Sequence, residues 1–276
     1  FVYLLVVMGA YYAYASFTGV NPEDSSHSAA NTNHSTNAEH SDDGEETGHE
    51  AEHSEHGTST TENSEVVPMV HEENEELVIT LKDHQGNPVT ESDIEVNHEK
   101  LMHLIVVSTD LKEYKHLHPE SNEPGVFKVS HSLEDGEYKA FVDIKPKDLT
   151  YKVEPINIKL GSQHDEHEQR TLQPDVNLVK QVGNHQVEMK PSSLKANEEI
   201  QLKFDLNGEI PEQHLGALGH VVILDEHAEN YIHVHPLHGD EPIFETQFTK
   251  PGIYKIWAEF KFNGEVFVFP YVVKIE

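Results

Sequence analysis

The chain contains no cysteine. Disulfides, thiolate zinc sites, cysteine nucleophiles and type 1 copper centres are thereby excluded, and so is a lipidated cysteine anchor. Basic residues are scarce: 19 Lys and Arg stand against 50 Asp and Glu, for a formal net charge of -31. A field of that sign repels phosphate backbones, so no nucleic-acid partner is expected. It attracts cations instead and favours solubility. No Lys or Arg occurs before Lys82. Methionine is rare as well, and beyond the apolar N-terminus only Met69, Met102 and Met189 occur. The clustered thioethers of a methionine-rich Cu(I) carrier are therefore missing. Neither of the two modules read below shows a helical period of useful length. No Ser-His-Asp grouping, phosphate-binding glycine loop or paired-carboxylate motif stands out, so an enzyme is not expected.

One long hydrophobic run is present. Residues 1–20 carry no charge, and twenty helical residues rise about 30 Å, the thickness of a bilayer core. This segment reads as a transmembrane anchor, with a short basic stretch expected ahead of Phe1 and everything after Val20 outside the cytoplasm. The alternative is a cleaved signal peptide, with Ala13-Tyr-Ala15 as a small-x-small site. Either reading exports the protein: extracytoplasmic and membrane-anchored, or secreted.

Residues 21–68 follow with Ser, Thr, Asn, Asp, Glu and His and almost no large apolar side chain until their last few positions. Such a composition cannot bury enough surface to offset its ordering entropy, so a disordered tether is expected. His27, His34, His40, His49, His53 and His56 punctuate it. The tract reads equally as a weak, geometry-free collector of divalent metal and as a solvated spacer.

The remainder is all-β in character and repeats itself. Short apolar or alternating runs separated by turn signals fill 69–161 and 176–276, with the polar segment 162–175 between them. Two tandem immunoglobulin-like β-sandwich domains are the expected fold, since each stretch has the length and strand number of one such domain. Asn263-Gly264 is a type I′ hairpin signal. Pro155 and Pro270 mark edge strands or bulges.

The repeat carries chemistry. His103 is followed by His116-Leu-His118-Pro, and His220 by His233-Val-His235-Pro, at equal spacing. Alternation along a strand puts His116 and His118 on one face. A turn centred near Leu111 would set His103 opposite His118, so three imidazoles cluster on one hairpin face. Such a cluster suits Cu(II) or Zn(II). The same construction holds for His220, His233 and His235. Asp143 and Glu259 occupy matching positions in Gly136-Glu-Tyr138-Lys-Ala-Phe141-Val-Asp143 and Gly252-Ile-Tyr254-Lys-Ile-Trp257-Ala-Glu259. Each carboxylate is a candidate fourth ligand or an acceptor that orients a ligating histidine. A copper or zinc ion is thus the expected cofactor, with affinity falling below about pH 6 as imidazole protonates. Tyr138, Tyr254, Phe141 and Trp257 read as sandwich core. His98, His131, His214, His227 and His238 read as surface residues, with peripheral metal ligands as the alternative.

On these segments, from residue 70 to the C-terminus, the chain resembles the YtkA-like family of exported bacterial β-sandwich domains, which is itself similar to CopC-type copper-resistance proteins. The resemblance implies an immunoglobulin-like fold, an extracytoplasmic location and heavy-metal handling. The chain departs from the CopC pattern in lacking a histidine at a mature N-terminus and a methionine-rich loop. The expected function is a membrane-tethered protein that sequesters or delivers metal. The alternatives are a non-catalytic interaction module for a membrane or envelope protein, and a small metalloenzyme, since a strand-borne His-x-His resembles cupins.

Overall fold

A computed structural model describes residues 64–161, 172–237, 239 and 241–276, with the side chains of His233 and His235 left aside. The stretch read as an anchor, nearly all of the stretch read as a tether, His238 and most of the inter-domain segment lie outside the described residues. Among those described, no helix is long and apolar enough to cross a membrane.

Domain 1 builds two four-stranded antiparallel sheets. One has the order β1 (Val66–Glu73), β2 (Glu76–Asp83), β7 (Val126–Ser130), β6 (Glu120–Glu123); the other has β10 (Ile156–Leu160), β8 (Gly136–Asp143), β4 (His103–Ser108), β5 (Tyr114–Leu117). The short strands β3 (Ile94–Glu95) and β9 (Lys145–Pro146) pair separately. β1 therefore opens a few residues inside the stretch read as tether. In domain 2 the strands β11 (Val179–Val182), β12 (His185–Pro191), β13 (Glu199–Asp205) and β16 (Ile243–Gln247) form one half of an eight-stranded sheet. The strands β15 (Tyr231–Pro236), β14 (His220–Asp225), β17 (Gly252–Phe262) and β18 (Glu265–Ile275) form the other. The halves stay joined because the end of β15 crosses to pair with β16, His235 against Glu245.

Both domains have the strand order of an immunoglobulin sandwich, and both carry its tyrosine corner. Tyr138 at the start of β8 shares its hydroxyl proton between the Glu113 carboxylate at 2.7 Å and the carbonyl of Glu134 at 3.0 Å, and Tyr254 in β17 donates to that of Lys250 at 2.9 Å. Each pins a strand to the loop four residues upstream. Tyr254→Phe is expected to lower stability by about 1 kcal/mol, the net worth of one such bond; a urea midpoint unchanged by the substitution would deny the corner that role.

The punctuation behaves as its chemistry requires. Asn263 and Gly264 take positive φ, 50° and 84°, between β17 and β18, as a I′ turn demands. Pro270 lies in β18, at the edge of its sheet. Pro155 falls just before β10, another edge strand. Neither removes a ladder bond from a central strand.

Each sandwich has its own core, Leu77, Leu104, Val106 and Phe127 among others in domain 1, and Leu202, Val221, Phe244 and Phe260 in domain 2. A third buried cluster belongs to neither. It joins Ile105, Val107, Leu111 and Phe141 of domain 1 to Val222, Leu224, Ala228 and Trp257 of domain 2. Alternation explains it: Leu104 and Val106 of β4 point inward, while Ile105 and Val107 point out onto the other domain. The two domains are thus one compact unit, packed face to face. Phe141 and Trp257, read from sequence as sandwich core, are joint residues instead. The joint is reciprocal. Tyr114 stacks on Trp257, centroids 4.8 Å apart, and Tyr231 stacks on Phe141 at 5.4 Å.

Candidate metal centre

At one end of this joint the histidines gather. β4 and β5 pair Leu104 with Leu117 and Ile105 with His116, which sets His103 opposite His118 one step further on. The ring centroids of His103 lie 5.1 Å from His116 and 5.0 Å from His118, and those of His116 and His118 are 4.7 Å apart. One nitrogen of each ring falls within 4.8 Å of the others. The triad expected from spacing is therefore assembled.

What holds the rings decides what their nitrogens can do. Ahead of β4 a two-residue hairpin turns at His98 and Glu99, both at positive φ, and pairs Asn97 with Lys100. It presents the Asn97 carbonyl to Nε2 of His103 at 2.9 Å. Nδ1 of His116 lies 2.9 Å from the Glu259 carboxylate. A carbonyl and a carboxylate only accept, so both of these nitrogens carry protons. In the neutral rings the remaining nitrogens, His103 Nδ1 and His116 Nε2, then face each other at 2.9 Å as two lone pairs. Nε2 of His118 is buried and makes no hydrogen bond. Converging lone pairs of this kind are satisfied by a shared extra proton or by a metal cation.

Glu259 reaches this site from the other domain. The sequence pairs it with His220 in its own domain, and the register agrees: His220 lies opposite Glu259 as His103 lies opposite Asp143. Its side chain nonetheless crosses the joint to His116, and the two side chains are only 6 % and 4 % exposed. Burial, the largest single influence on Glu259, raises its pKa, but His116, His220 and Tyr114 together hold the carboxyl below its ordinary value. The Tyr114 phenol is pushed well above its usual value, first by burial and then by the Glu259 charge beside it. Asp143 crosses in the opposite sense and accepts from the Tyr231 hydroxyl at 2.9 Å. The pair expected to complete each domain's own cluster is exchanged between domains, Glu259 as an orienting acceptor.

His220 repeats the environment of His103. Its Nε2 lies 3.0 Å from the carbonyl of His214, presented by a hairpin with positive φ at Leu215 and Gly216. Its ring centroid is 5.7 Å from His116 and 6.4 Å from His103. The backbone of β15 sets His233 opposite Val222, the register of His116 opposite Ile105; the side chains of His233 and His235 lie outside the description. His98 and His214, read as surface residues or peripheral ligands, flank the site, with His98 5.7 Å from His220 and His214 also 5.7 Å from it. Their signal was present: each lies in the short turn five or six residues ahead of a repeated histidine. His227 is exposed, and His131 lies 3.7 Å from Glu72, away from the site.

Burial keeps His118 neutral, with its pKa lowered to about 2, and His220 likewise to about 3. Proton competition at His118 thus sets in far below the pH 6 expected for a solvated ring. The same burial links folding to acid. Unfolded, both rings titrate near 6.5, so between that value and the folded pKa the unfolded chain binds more protons. Stability is fully present above about pH 6.5 and falls as pH drops toward 3, each ring adding at most about 1.4 kcal/mol per pH unit. Urea midpoints measured in EDTA should therefore fall steeply from pH 7 to pH 5. A flat profile would contradict neutral burial.

Residues 53–159 and 180–276 both match the family described as "Domain of unknown function (DUF8832)". The chain belongs to that family. Its two matched stretches coincide with the two sandwiches, so one family unit is one half of the joint. No curated protein matches the chain. Solved structures with similarity include the FN1–FN3 domains of chicken CNTN1, at 10 % identity over 75 % of this chain and 66 % of that one, TM-score 0.21. The BSP domain of a biofilm associated protein is 12 % identical over 76 % of this chain and 29 % of that one, TM-score 0.22. The Escherichia coli adhesin FdeC is 9 % identical over 77 % and 64 %, TM-score 0.23. The chain spans less than two thirds of the length of each.

Proposed function

We propose that this protein is an extracytoplasmic metal-binding protein, akin to YtkA-like and CopC-like domains, that holds a copper or zinc ion at His103, His116 and His118 for sequestration or delivery. One observation carries the reading. Three imidazoles converge on each other, and two of them have their outer nitrogens committed to groups that only accept. The lone pairs so directed are what a first-row cation takes from histidine. The apolar residues 1–20 would tether the protein outside the membrane, and the His-rich acidic tract would gather ions near it. A membrane or envelope protein is the expected recipient. The second domain repeats the backbone register around His220, His233 and His235, and is proposed as a second site of the same kind.

Titration calorimetry with copper or zinc on the full chain tests this. His116→Ala with His118→Ala should remove a tight site, whereas replacing the six tether histidines with serine should leave it. If the tether replacement abolishes binding and the double alanine does not, the sandwich site is not the metal site. A second reading is favoured by the His116–Glu259 contact, which ties one domain to the other. On that reading the cluster is a polar fastener in an interaction module. The double alanine would then lower the melting temperature without changing metal uptake.

A further inference from the structure

We propose that His98 and His214, on the two hairpins that meet over the joint, pass a metal ion between solvent and the His103–His116–His118 triad, with His220 as the step between. The inference rests on the metal-binding reading and adds the route that the ion takes. Holding an ion and admitting one are separate tasks, and the triad is built for the first.

The triad is shut away from water. His103 is 1 % exposed and the His116 side chain 4 %, and Nε2 of His118 is buried. His220 beside them is 2 % exposed. His98 and His214 are only half-buried, and their hairpin neighbours Glu99 and Gly216 are exposed. Histidines therefore run from the surface inward. The two hairpins come one from each domain and meet there: a Cβ on Gly216 would lie 3.6 Å from the Glu99 side chain. His98 belongs to domain 1, yet its ring lies closer to His220 of domain 2, at 5.7 Å, than to its own His103, at 6.1 Å.

Spacing makes the row a path. A ligating imidazole nitrogen stands about 2 Å from a first-row ion, so two rings on one ion have centroids between about 4.5 and 6.3 Å apart. The steps His98–His220, His214–His220 and His220–His116 are each 5.7 Å. An ion can thus grip the next ring before it leaves the last, which is what lets ions move along a row of adjacent sites. Neither His98 nor His214 belongs to the group whose nitrogens lie within 4.8 Å of one another, so the triad keeps its ligands without them. A relay of this kind changes the rates in both directions and leaves the affinity, their ratio, alone.

Stopped-flow mixing of the full chain with Cu(II) tests this, since Cu(II) is the divalent first-row ion that nitrogen donors hold most tightly. Arrival is read by quenching of Trp257, the chain's one tryptophan, which stacks on Tyr114 two residues before His116. Release is read as fluorescence recovering in excess EDTA. His98→Asn suits the test because asparagine accepts the positive φ of 46° found there. His214→Asn is its counterpart. The carbonyls that face His103 and His220 belong to the backbone, so both substitutions leave them in place. In the double variant uptake and release should both slow by about 10-fold or more, with affinity kept within about threefold. Unchanged rates overturn the relay and leave the metal-binding reading standing. A change in affinity that matches the change in either rate overturns it too, since that marks lost ligands or a loosened fold rather than a path. No quenching at all, or quenching that survives His116→Ala with His118→Ala, removes the metal-binding reading and the relay with it. Should the double variant fail to fold by circular dichroism, each single substitution reads the same two rates.

Discussion

Trp257→Ala should lower stability by about 3–5 kcal/mol, the usual result of emptying a large aromatic site. Trp257 is 2 % exposed and stands in the centre of the joint, stacked on Tyr114 of the other domain. Its loss opens a void between two rigid sheets that cannot collapse independently, because each is pinned by its own core. For a folded unit of this size the melting temperature should drop by on the order of 10 °C. Trp257→Phe, the residue at the matching position in domain 1, should lose much less. Calorimetry on both variants reads the difference. A shift below about 2 °C for the alanine would mean that the sandwiches do not lean on each other there.

Glu259→Ala should also be damaging, at about 1–3 kcal/mol, for a different reason. It leaves the buried His116 ring N–H without its acceptor. The His116 ring loses the contact that fixes its tautomer, so Nε2 is no longer held as the nitrogen with the lone pair. Tyr114 loses the carboxylate beside it. Denaturation should show the loss in the absence of metal, and histidine nitrogen shifts in NMR should show His116 sampling both tautomers. A tautomer unchanged in the alanine variant would refute Glu259 as its orienting group.

Much of this arrangement was legible from local pattern. Period-two alternation, the Asn263-Gly264 turn and the paired Gly-x-Tyr segments specify sandwiches, because each acts through neighbours a few residues away. The triad was legible for the same reason: spacing around a turn at Leu111 determines the register of one hairpin. The joint was not, since it depends on which of two apolar faces meets what. A signal did exist in His103-Leu-Ile-Val-Val and His220-Val-Val-Ile-Leu. Antiparallel strands that wet one face alternate, and these do not, which marks burial on both sides. The crossing of Glu259 and Asp143 followed from that unread packing, and no spacing within either half could reveal it.

The reciprocal joint also bears on ancestry. A lone unit with Ile105, Val107, Phe141 and Tyr114 bare would pair with a copy of itself, and a two-fold dimer is the ordinary outcome of one self-complementary patch. Tandem duplication then places both copies on one gene and frees them to diverge. In a homodimer any mutation strikes both subunits at once; here the two halves differ at matching positions, Asp143 against Glu259 and Met102 against Gly219, where a side chain at Gly219 would collide with the Glu259 backbone at 2.6 Å. Fusion is what allows the two ends of the seam to specialise separately.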